Sequence, residues 1–286
     1  QKAKGLFQKA ILCSGAVQCT RDVHTAQKIA EQFMEEAGID ADHAKDLLTM
    51  PWEQILKAQT NIFAGLNLHT VGPVFDGINF EENDSLDLIK HGASKGITLL
   101  MGTNRDEMNL YWHVYKVHDL DEKLAVKLFG NRAPIVMRNY SKIHHDENFH
   151  KNLVHFLTEY IYRSGDVKMA EAAAEAGQDV YFYRLDWDRQ AYKACHASET
   201  QFLMGVGSVI KDVDHSPEHD TLERNMHGAF VEFIKTGHPS AKEMPKWPKF
   251  DTINRYMMVF DAPCHVERTP ESEVDPEMPF KVFELD

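Results

Sequence analysis

Two polar loops of this 286-residue chain carry the side chains that acid–base catalysis needs. Residues 102–107 (GTNRDE) follow an apolar run directly and offer carboxylates, and residues 194–199 (ACHASE) lie beyond a later apolar run and offer a histidine. A hydroxyl is a poor nucleophile until an imidazole removes its proton, and a carboxylate holds that imidazole in the correct tautomer. An acid and then a histidine is also the chain order of sites built on a nucleophile elbow. The alternative is a capping acid pair and one incidental histidine among 16.

The serine of such a site has one formal candidate in the pattern G-x-S-x-G. Residues 92–96 (GASKG) match it, with Ser94 at the centre. The motif works only where a strand turns sharply into a helix and lifts the hydroxyl into the open. Here a predicted helix precedes and a predicted strand follows, and a helix C-cap with a turn explains both glycines. We therefore predict that Ser94 is not a nucleophile.

Other polar clusters predict neither a metal nor a cofactor. His145 and His150 lie close together on a predicted helix, within residues 144–150, but the chain has no H-E-x-x-H, so a polar surface cluster is the better interpretation. Residues 212–220 (DVDHSPEHD) are typical of a solvated loop before a helix. Residues 205–208 (GVGS) lack the third glycine and the preceding strand of a dinucleotide site.

The elements that must position these loops alternate between strand and helix patterns. Short apolar runs predict buried strands, and apolar residues at helical spacing predict helices. The predicted strands are residues 9–13, 97–102, 180–185 and 255–261, and the predicted helical segments are 23–37, 43–49, 52–59, 86–91, 121–176 and 221–236. This alternation predicts an α/β fold with a largely parallel sheet, in which chemistry lies at the carboxyl ends of strands. We find no repeat or linker, so the chain is predicted to be one domain or a piece of one.

The composition is that of a soluble globular protein, with 43% hydrophobic and 26% charged residues. A formal net charge of -13 argues against nucleic acid or an anionic membrane as a partner. No apolar run has the length needed to span a bilayer. Four cysteines in a chain of this length favour a reducing, cytoplasmic compartment over a disulfide framework, although two disulfides remain an alternative.

Both loops, with several further stretches, resemble the type-B carboxylesterase family, which includes cholinesterases and bacterial para-nitrobenzyl esterases. The matching stretches follow the family's order over nearly the whole chain. They are residues 5–11 (GLFQKAI) with 14–15, 73–77 (PVFDG), 102–107, 194–199 with Phe202, 233–239 and 247–248. The resemblance implies that residues 1–286 form the carboxy-terminal part of a single α/β-hydrolase domain.

The resemblance also implies roles for individual residues. Glu107 would be the acid of a catalytic triad and His196 its general base, with Asp106 the less suited acid. Cys195 is not expected to act as a nucleophile, because adjacent residues generally point apart. Glu199 and Ser14 match positions that support the triad, and the substrate pocket would be lined by Leu110, Tyr111, Phe202 and Leu203.

The family's nucleophile lies in a G-E-S-A-G motif upstream of the GLF segment, and its oxyanion loop lies further upstream. The resemblance therefore implies a parent protein that hydrolyses small-molecule carboxylic esters through an acyl-enzyme, without a cofactor. The present chain would be inactive alone, and the missing amino-terminal half of the same protein would be its partner. Met108, Asn109 and residues 200–205 (TQFLMG) depart from the family pattern and imply a changed pocket shape. A non-catalytic esterase-like binding domain, or the product of a split gene, are the alternatives.

Overall fold

The computed structural model describes residues 3–64, 71–80, 85–111, 120–143, 148–205 and 216–282. These residues fall into two compact units. The first unit comprises Gln1–Gln18, Asp84–His118 and Ile143–Pro276, and the second comprises Cys19–Asn83, Asp119–Lys142 and Glu277–Asp286. That both units belong to one continuous domain stays a prediction.

Within the described residues, five strands form one sheet at the centre of the first unit, in the spatial order β1-β2-β3-β4-β5. β1 (Lys9–Cys13), β2 (Thr98–Asn104), β3 (Val180–Leu185) and β4 (Tyr256–Phe260) pair in parallel. β5 (His265–Arg268) is antiparallel to β4. The predicted α/β fold with a largely parallel sheet is thereby confirmed. β5 was not predicted, because its four residues are half-buried or exposed and show no apolar run.

The helices lie mainly where periodicity predicts them, although several bounds differ. The predicted segment 121–176 consists of several separate helices, including a π-helix at Thr158–Arg163, and the predicted helix 43–49 is a 3₁₀ helix, Ala41–Leu48. Within the described residues, the α-helices with both ends defined are α1 (Val23–Ala37), α2 (Trp52–Ala64), α3 (Ser85–Lys90), α4 (Glu122–Phe129), α5 (Ala133–Lys142), α6 (Phe149–Leu157), α7 (Ser164–Glu175), α8 (Glu199–Met204) and α9 (Pro217–Thr236).

The start of α9 corrects one expectation from the sequence. Residues 217–220 are not a solvated loop but the first turn of the helix, and residues 212–215 lie outside the described residues. Ser216 is the N-cap and accepts a hydrogen bond from the backbone of His219, whose side chain is buried. Pro217 favours this start because its fixed φ suits the first helical position, where no N–H is needed.

Side chains of the central strands alternate between two buried faces of the sheet. Leu100, Tyr183 and Phe260 pack on one face with apolar residues of α9. Met101 and Phe182, on the opposite face, pack with α7 and α3. Because both faces of the sheet are covered by helices, its central strands read as nearly continuous apolar runs. The sheet is thus a rigid platform for the loops at its carboxyl edge.

The second unit is helical within its described residues. α1 begins at the N-cap Asp22, whose side chain accepts a hydrogen bond from Thr25 N at 2.7 Å, and ends at Gly38 with φ 72°. Both bounds agree with the sequence prediction. Arg21 forms an isolated parallel bridge with Val74, so the predicted loop at 72–77 is tied to the residues just before α1.

Candidate active site

Glu107 and His196 meet beyond the carboxyl ends of β2 and β3. Nδ1 of His196 lies 2.7 Å from Oε2 of Glu107, and the backbone N–H of His196 donates to the carbonyl of Glu107 at 3.0 Å. The Glu107 side chain is fully buried, whereas 28% of the His196 side chain is exposed. The hydrogen bond at Nδ1 fixes which ring nitrogen carries the proton in neutral imidazole, and leaves Nε2 to act as a base.

The second oxygen of Glu107 is held by β1 and β2. Oε1 accepts a hydrogen bond from Ser14 Oγ at 2.5 Å and another from the backbone N–H of Asn104 at 2.6 Å. Ser14 follows β1 directly, and its own N–H donates to Gly102 O at 2.8 Å. With three hydrogen bonds on its two oxygens, the buried carboxylate of Glu107 has a fixed orientation.

Two residues beside this pair adopt left-handed backbone conformations that non-glycine residues rarely occupy. Ser14 has φ 53°, and Ala197, next to His196, has φ 65°. Such conformations cost of order 1–3 kcal/mol each and persist only where surrounding contacts impose them. Here they turn the chain sharply after β1 and after His196, which brings both functional side chains toward Glu107.

Asn104 is a residue of the site that the sequence did not single out. It ends β2, is fully buried, and its Nδ2 donates to Cys195 O at 2.8 Å and to Glu199 Oε2 at 2.5 Å. Asn104 therefore joins the acid-bearing loop to the histidine-bearing loop. The only sequence signal for it was a polar residue at the end of an apolar strand.

The charges around His196 favour its protonated form. Burial of the imidazole opposes this form, but the hydrogen bond to Glu107 and the charges of Glu107 and Glu199 outweigh burial and place the pKa of His196 above its ordinary value. Burial and the charge of Glu107 likewise raise the pKa of Glu199, against the hydrogen bond from Asn104. The site therefore stabilises the imidazolium that a general base forms when it takes up a proton.

Two aromatic rings lie close to the imidazole of His196. Among the described residues its Nε2 has no hydrogen-bond partner. The ring of Tyr162 lies 5.0 Å from the imidazole centroid and that of Tyr111 lies 5.9 Å away. The family resemblance predicts Tyr111 at this place. It does not predict Tyr162, which lies 34 residues before His196 in a helical segment with no motif.

The remaining residues predicted for the site are Asp106, Leu110, Leu203 and Phe202. Asp106 does not join the pair, since its carboxylate accepts from Arg105 Nε and Nη2 at 3.1 Å. Leu110 is half-buried, and Leu203 is half-buried against the core. Phe202 is fully buried in the core beside Trp187, so the structure describes it as a packing residue.

The structure gives no support to Ser94 or Cys195 as a nucleophile. Ser94 Oγ donates to Gln178 Oε1 at 2.8 Å, and Gln178 Nε2 donates back to Ser94 O at 2.7 Å. Ser94 precedes β2, so the seven-residue strand, roughly 20 Å long, separates it from Glu107. Burial raises the pKa of Cys195 to about 11, which keeps that thiol neutral near pH 7.

The described residues hold neither a metal-binding cluster nor a membrane-spanning helix. No cluster of three or more His, Cys, Asp or Glu side chains in those residues could hold a metal ion, and residues 144–147 of the sequence cluster lie outside them. Likewise, none of the helices described combines the length and apolar character needed to cross a membrane.

Comparison with known proteins gives one consistent family. The model of the carboxylesterase family matches residues 1–275. The para-nitrobenzyl esterase of Bacillus subtilis is 30% identical over 285 residues, covering 95% of this chain and 56% of that protein. Human carboxylesterase 5A is 27% identical over 310 residues, covering 96% of this chain and 52% of that protein.

Solved structures agree with this result. The carboxylesterase EST55 of Geobacillus stearothermophilus, at pH 6.2, superposes with a TM-score of 0.76 at 30% identity, covering 94% of this chain and 58% of that one. A para-nitrobenzyl esterase superposes with a TM-score of 0.73 at 29% identity, covering 95% and 57%. The chain spans about half the length of the curated relatives it matches. Its sheet and helices are those of an α/β hydrolase, and the chain belongs to the carboxylesterase family.

Proposed function

We propose that this chain supplies the acid and the base of a serine carboxylesterase that hydrolyses small-molecule carboxylic esters. The observation that carries the proposal is the 2.7 Å hydrogen bond from His196 Nδ1 to the buried Glu107, with Nε2 open on the opposite edge of the ring. Membership in the carboxylesterase family supports ester hydrolysis as the reaction. Family membership alone also fits a non-catalytic binding domain, but such a domain has no need of an oriented general base.

In the first half of the proposed reaction, Nε2 of His196 takes the proton of a serine hydroxyl while that oxygen attacks the ester carbonyl carbon. Glu107 keeps Nδ1 protonated and stabilises the imidazolium that forms. The tetrahedral intermediate then collapses, the bond to the alcohol oxygen breaks, and His196 returns its proton to the leaving alcohol. An acyl-enzyme remains on the serine.

In the second half, water replaces the alcohol. His196 takes a proton from the water molecule as it attacks the acyl carbon, and returns that proton to the serine oxygen as the carboxylic acid leaves. Glu107 has the same orienting role in both halves. Ser14 supports the pair through its hydrogen bond to Glu107, and Glu199 supports it together with Asn104, which donates to the Glu199 carboxylate. The scheme uses no metal or other cofactor.

We further propose that the nucleophilic serine and the oxyanion donors come from residues outside these 286. Ser94 is engaged with Gln178 at the far end of β2 and Cys195 is a neutral buried thiol, so neither suits the role. The length of the relatives, of which this chain covers about half, supports the same view. Without the nucleophile and the donors, the chain by itself should not turn over esters.

The proposed partner of the chain is the remaining part of the same protein. Among the described residues, β1 pairs only with β2 and is an edge of the sheet. Leu6 and Phe7, just before it, are exposed. An unpaired strand edge beside apolar surface favours pairing with a further strand. Light scattering on the isolated chain should show association, and a well-behaved monomer would contradict this part of the proposal.

A reducing compartment, the cytoplasm, is the proposed location. All four cysteines are free thiols in the structure, and burial raises the pKa of Cys264, like that of Cys195, to about 11. Alkylation of the protein in denaturant at the moment of isolation should modify all four cysteines, as counted by mass spectrometry. A smaller number, restored by reductant, would argue for disulfides and an oxidising compartment.

The test of the catalytic proposal compares two forms of the protein on p-nitrophenyl acetate and butyrate. The 286-residue chain alone should show no turnover that an organophosphate blocks. A longer protein, expressed with the coding sequence upstream of Gln1, should carry a G-x-S-x-G serine and show such turnover. Organophosphate-sensitive activity of the short chain would overturn the proposed origin of the nucleophile. A longer protein that has the serine but no turnover would overturn the esterase function.

A further inference from the structure

Two tyrosines form an aromatic wall against the imidazole of His196. The Tyr162 ring is tilted by 32° to the imidazole at a centroid distance of 5.0 Å, and the Tyr111 ring by 34° at 5.9 Å. The hydroxyl of Tyr162 donates to the hydroxyl of Tyr111 at 3.3 Å, which joins the two rings at their tips. Tyr162 is 1% exposed, so it is an inner part of the wall.

Tyr162 lies in the π-helix Thr158–Arg163, between α6 and α7. A π-helix is rare and is often found at functional sites, because its wider turn redirects side chains that an α-helix would place elsewhere. This one is fastened to the site at its start, where Thr158 Oγ1 accepts a hydrogen bond from the backbone N–H of Met108 at 3.4 Å. Met108 directly follows Glu107, so the π-helix and the acid-bearing loop are in contact.

The backbone of the π-helix is also held close to Tyr162. Gln18 Nε2 donates to the carbonyls of Ile161 and Tyr162, each at 3.2 Å. The buried side chains of Arg163 and Glu159 form an ion pair, and Arg163 Nη1 donates to Pro270 O at 3.1 Å. These contacts hold the backbone that carries Tyr162 in place independently of any substrate.

The two tyrosine rings can stabilise both the orientation and the charged form of the His196 imidazole. The hydrogen bond from Nδ1 to Glu107 sets the orientation of the imidazole, and packing against its faces opposes the rotation about Cβ–Cγ that would break this bond. When the imidazole takes up a proton, the face of an aromatic ring attracts the resulting cation. The charged groups that also act on the ring are Glu107, from the loop after β2, and Glu199, from α8.

We propose that Tyr162 is a positioning residue for His196, whose ring holds the imidazole in the orientation set by Glu107 and favours its charged form during proton transfer. The proposal rests on the general-base role proposed above for His196. It assigns the effect to the ring of Tyr162 and not to its hydroxyl, which is engaged with Tyr111.

The test is a histidine titration followed by NMR in the full 286-residue chain, labelled with ¹³C at histidine Cε1. A His196→Gln variant identifies the His196 signal. Tyr162→Leu removes the ring and should reduce the ratio of charged to neutral His196 at a given pH by about threefold, the size expected of a partly exposed cation–ring contact. Tyr162→Phe keeps the ring and should leave that ratio unchanged.

Tyr160→Leu is the matched control. Tyr160 is a buried tyrosine of the same π-helix, but its ring stacks on Phe156 at 6.0 Å. The Tyr160→Leu variant should leave the His196 titration unchanged. The proposal is overturned if Tyr162→Leu has no effect, if Tyr162→Phe has the same effect as Tyr162→Leu, or if Tyr160→Leu reproduces it.

A second measurement covers the case in which Tyr162→Leu does not fold. In the unaltered chain, nuclear Overhauser contacts between the Tyr162 ring protons and His196 Hε1 or Hδ2 should be present, and their absence would overturn the proposal. Neither measurement requires turnover. A negative result here therefore leaves the esterase proposal standing, and a failed esterase assay leaves the ring contact to be judged by NMR.

Discussion

Glu107 and His196 are 89 residues apart in the chain and are joined twice, by a 2.7 Å hydrogen bond between their side chains and a 3.0 Å hydrogen bond between their backbones. The backbone bond fixes the distance between the two loops, and the side-chain bond fixes the imidazole within that frame. Because the Glu107 carboxylate is fully buried, the side-chain hydrogen bond does not compete with water. The pair is therefore preorganised before any substrate binds.

Glu107→Gln should abolish most of the activity of the proposed longer protein that carries the serine. The amide cannot stabilise the imidazolium and tends to impose the wrong tautomer on His196, so kcat on p-nitrophenyl butyrate should fall about 10⁴-fold. Asp106→Asn is the matched control. Its carboxylate pairs with Arg105, and kcat should change by less than about threefold. Equal losses in the two variants would mean that Glu107 is not the acid.

Ser14→Ala should impair both stability and catalysis, because it removes the hydroxyl donor to Oε1 of the buried Glu107. We expect a loss of about 1–3 kcal/mol in the free energy of unfolding. Urea unfolding measures the first effect, and kcat of the longer protein, expected to fall about tenfold, measures the second.

Ser94→Ala is the control for that variant. It also removes a hydroxyl that donates to a side-chain oxygen, but at the opposite end of β2, on Gln178. It should cost about 1 kcal/mol of stability and leave kcat unchanged. A fall in kcat with Ser94→Ala would restore Ser94 as a candidate for catalysis.

Glu199→Gln should be more stable than the unaltered chain near neutral pH. At acid pH the two proteins should differ little in stability. The pKa of Glu199 is raised in the folded state by burial and by Glu107, so its contribution to stability is complete below its ordinary pKa and is lost as the pH rises through the folded value. Glutamine carries no charge and can still accept from Asn104 Nδ2. The expected gain near pH 7 is about 1 kcal/mol.

Urea unfolding at a series of pH values from acid to neutral checks this gain, which should vanish below the ordinary pKa of glutamate. A Glu199→Gln variant that is less stable than the unaltered chain near pH 7 would contradict the prediction.

The acid limb of the pH–rate profile should lie above the ordinary pKa of histidine. His196 acts as a base only when neutral, and its pKa is raised because the hydrogen bond and charge of Glu107, with Glu199, outweigh burial. Activity should therefore rise with pH through this raised pKa. Glu199→Gln removes one of the charges that raise the pKa of His196, so the acid limb of kcat/KM in this variant should move to lower pH. A limb that moves to higher pH would contradict the assignment.

Gly102→Ala should be among the most destabilising single changes in the sheet. A Cβ at this position of β2 would lie 2.1 Å from Tyr183 O in the neighbouring strand, and 2.6 Å from its ring. Because the contact is with backbone, it cannot be relieved by a side-chain rotation, and we expect a loss of about 3 kcal/mol or more.

The companion variant Gly228→Ala should have the opposite sign. Its Cβ would meet Ala241 Cβ at 3.5 Å, an ordinary contact, and alanine favours the interior of α9 by about 1 kcal/mol over glycine. Thermal unfolding of both variants checks the pair. A Gly102→Ala protein as stable as the unaltered chain would show that β2 and β3 pair less closely than the structure describes.

The sequence by itself determined the features that depend on neighbouring residues. The apolar run at 180–185 is β3 with the same bounds, and the pattern after Asp22 ends at Gly38 as expected. The reversed order of helix and strand around Ser94 already argued against that residue, and its bonds to Gln178 agree. Local periodicity and turn chemistry act over a few residues, so they can be read without a fold.

Tertiary structure alone decided which distant residues share the site. Asn104 and Tyr162 carry no motif, yet Asn104 joins the loop of Glu107 to the loop of His196, and Tyr162 packs against His196. Their places depend on the parallel register of β1, β2 and β3, and on a π-helix that interrupts a run of helical periodicity. Such contacts are set by packing between elements far apart in the chain, and the energy of that packing is not visible in any local pattern.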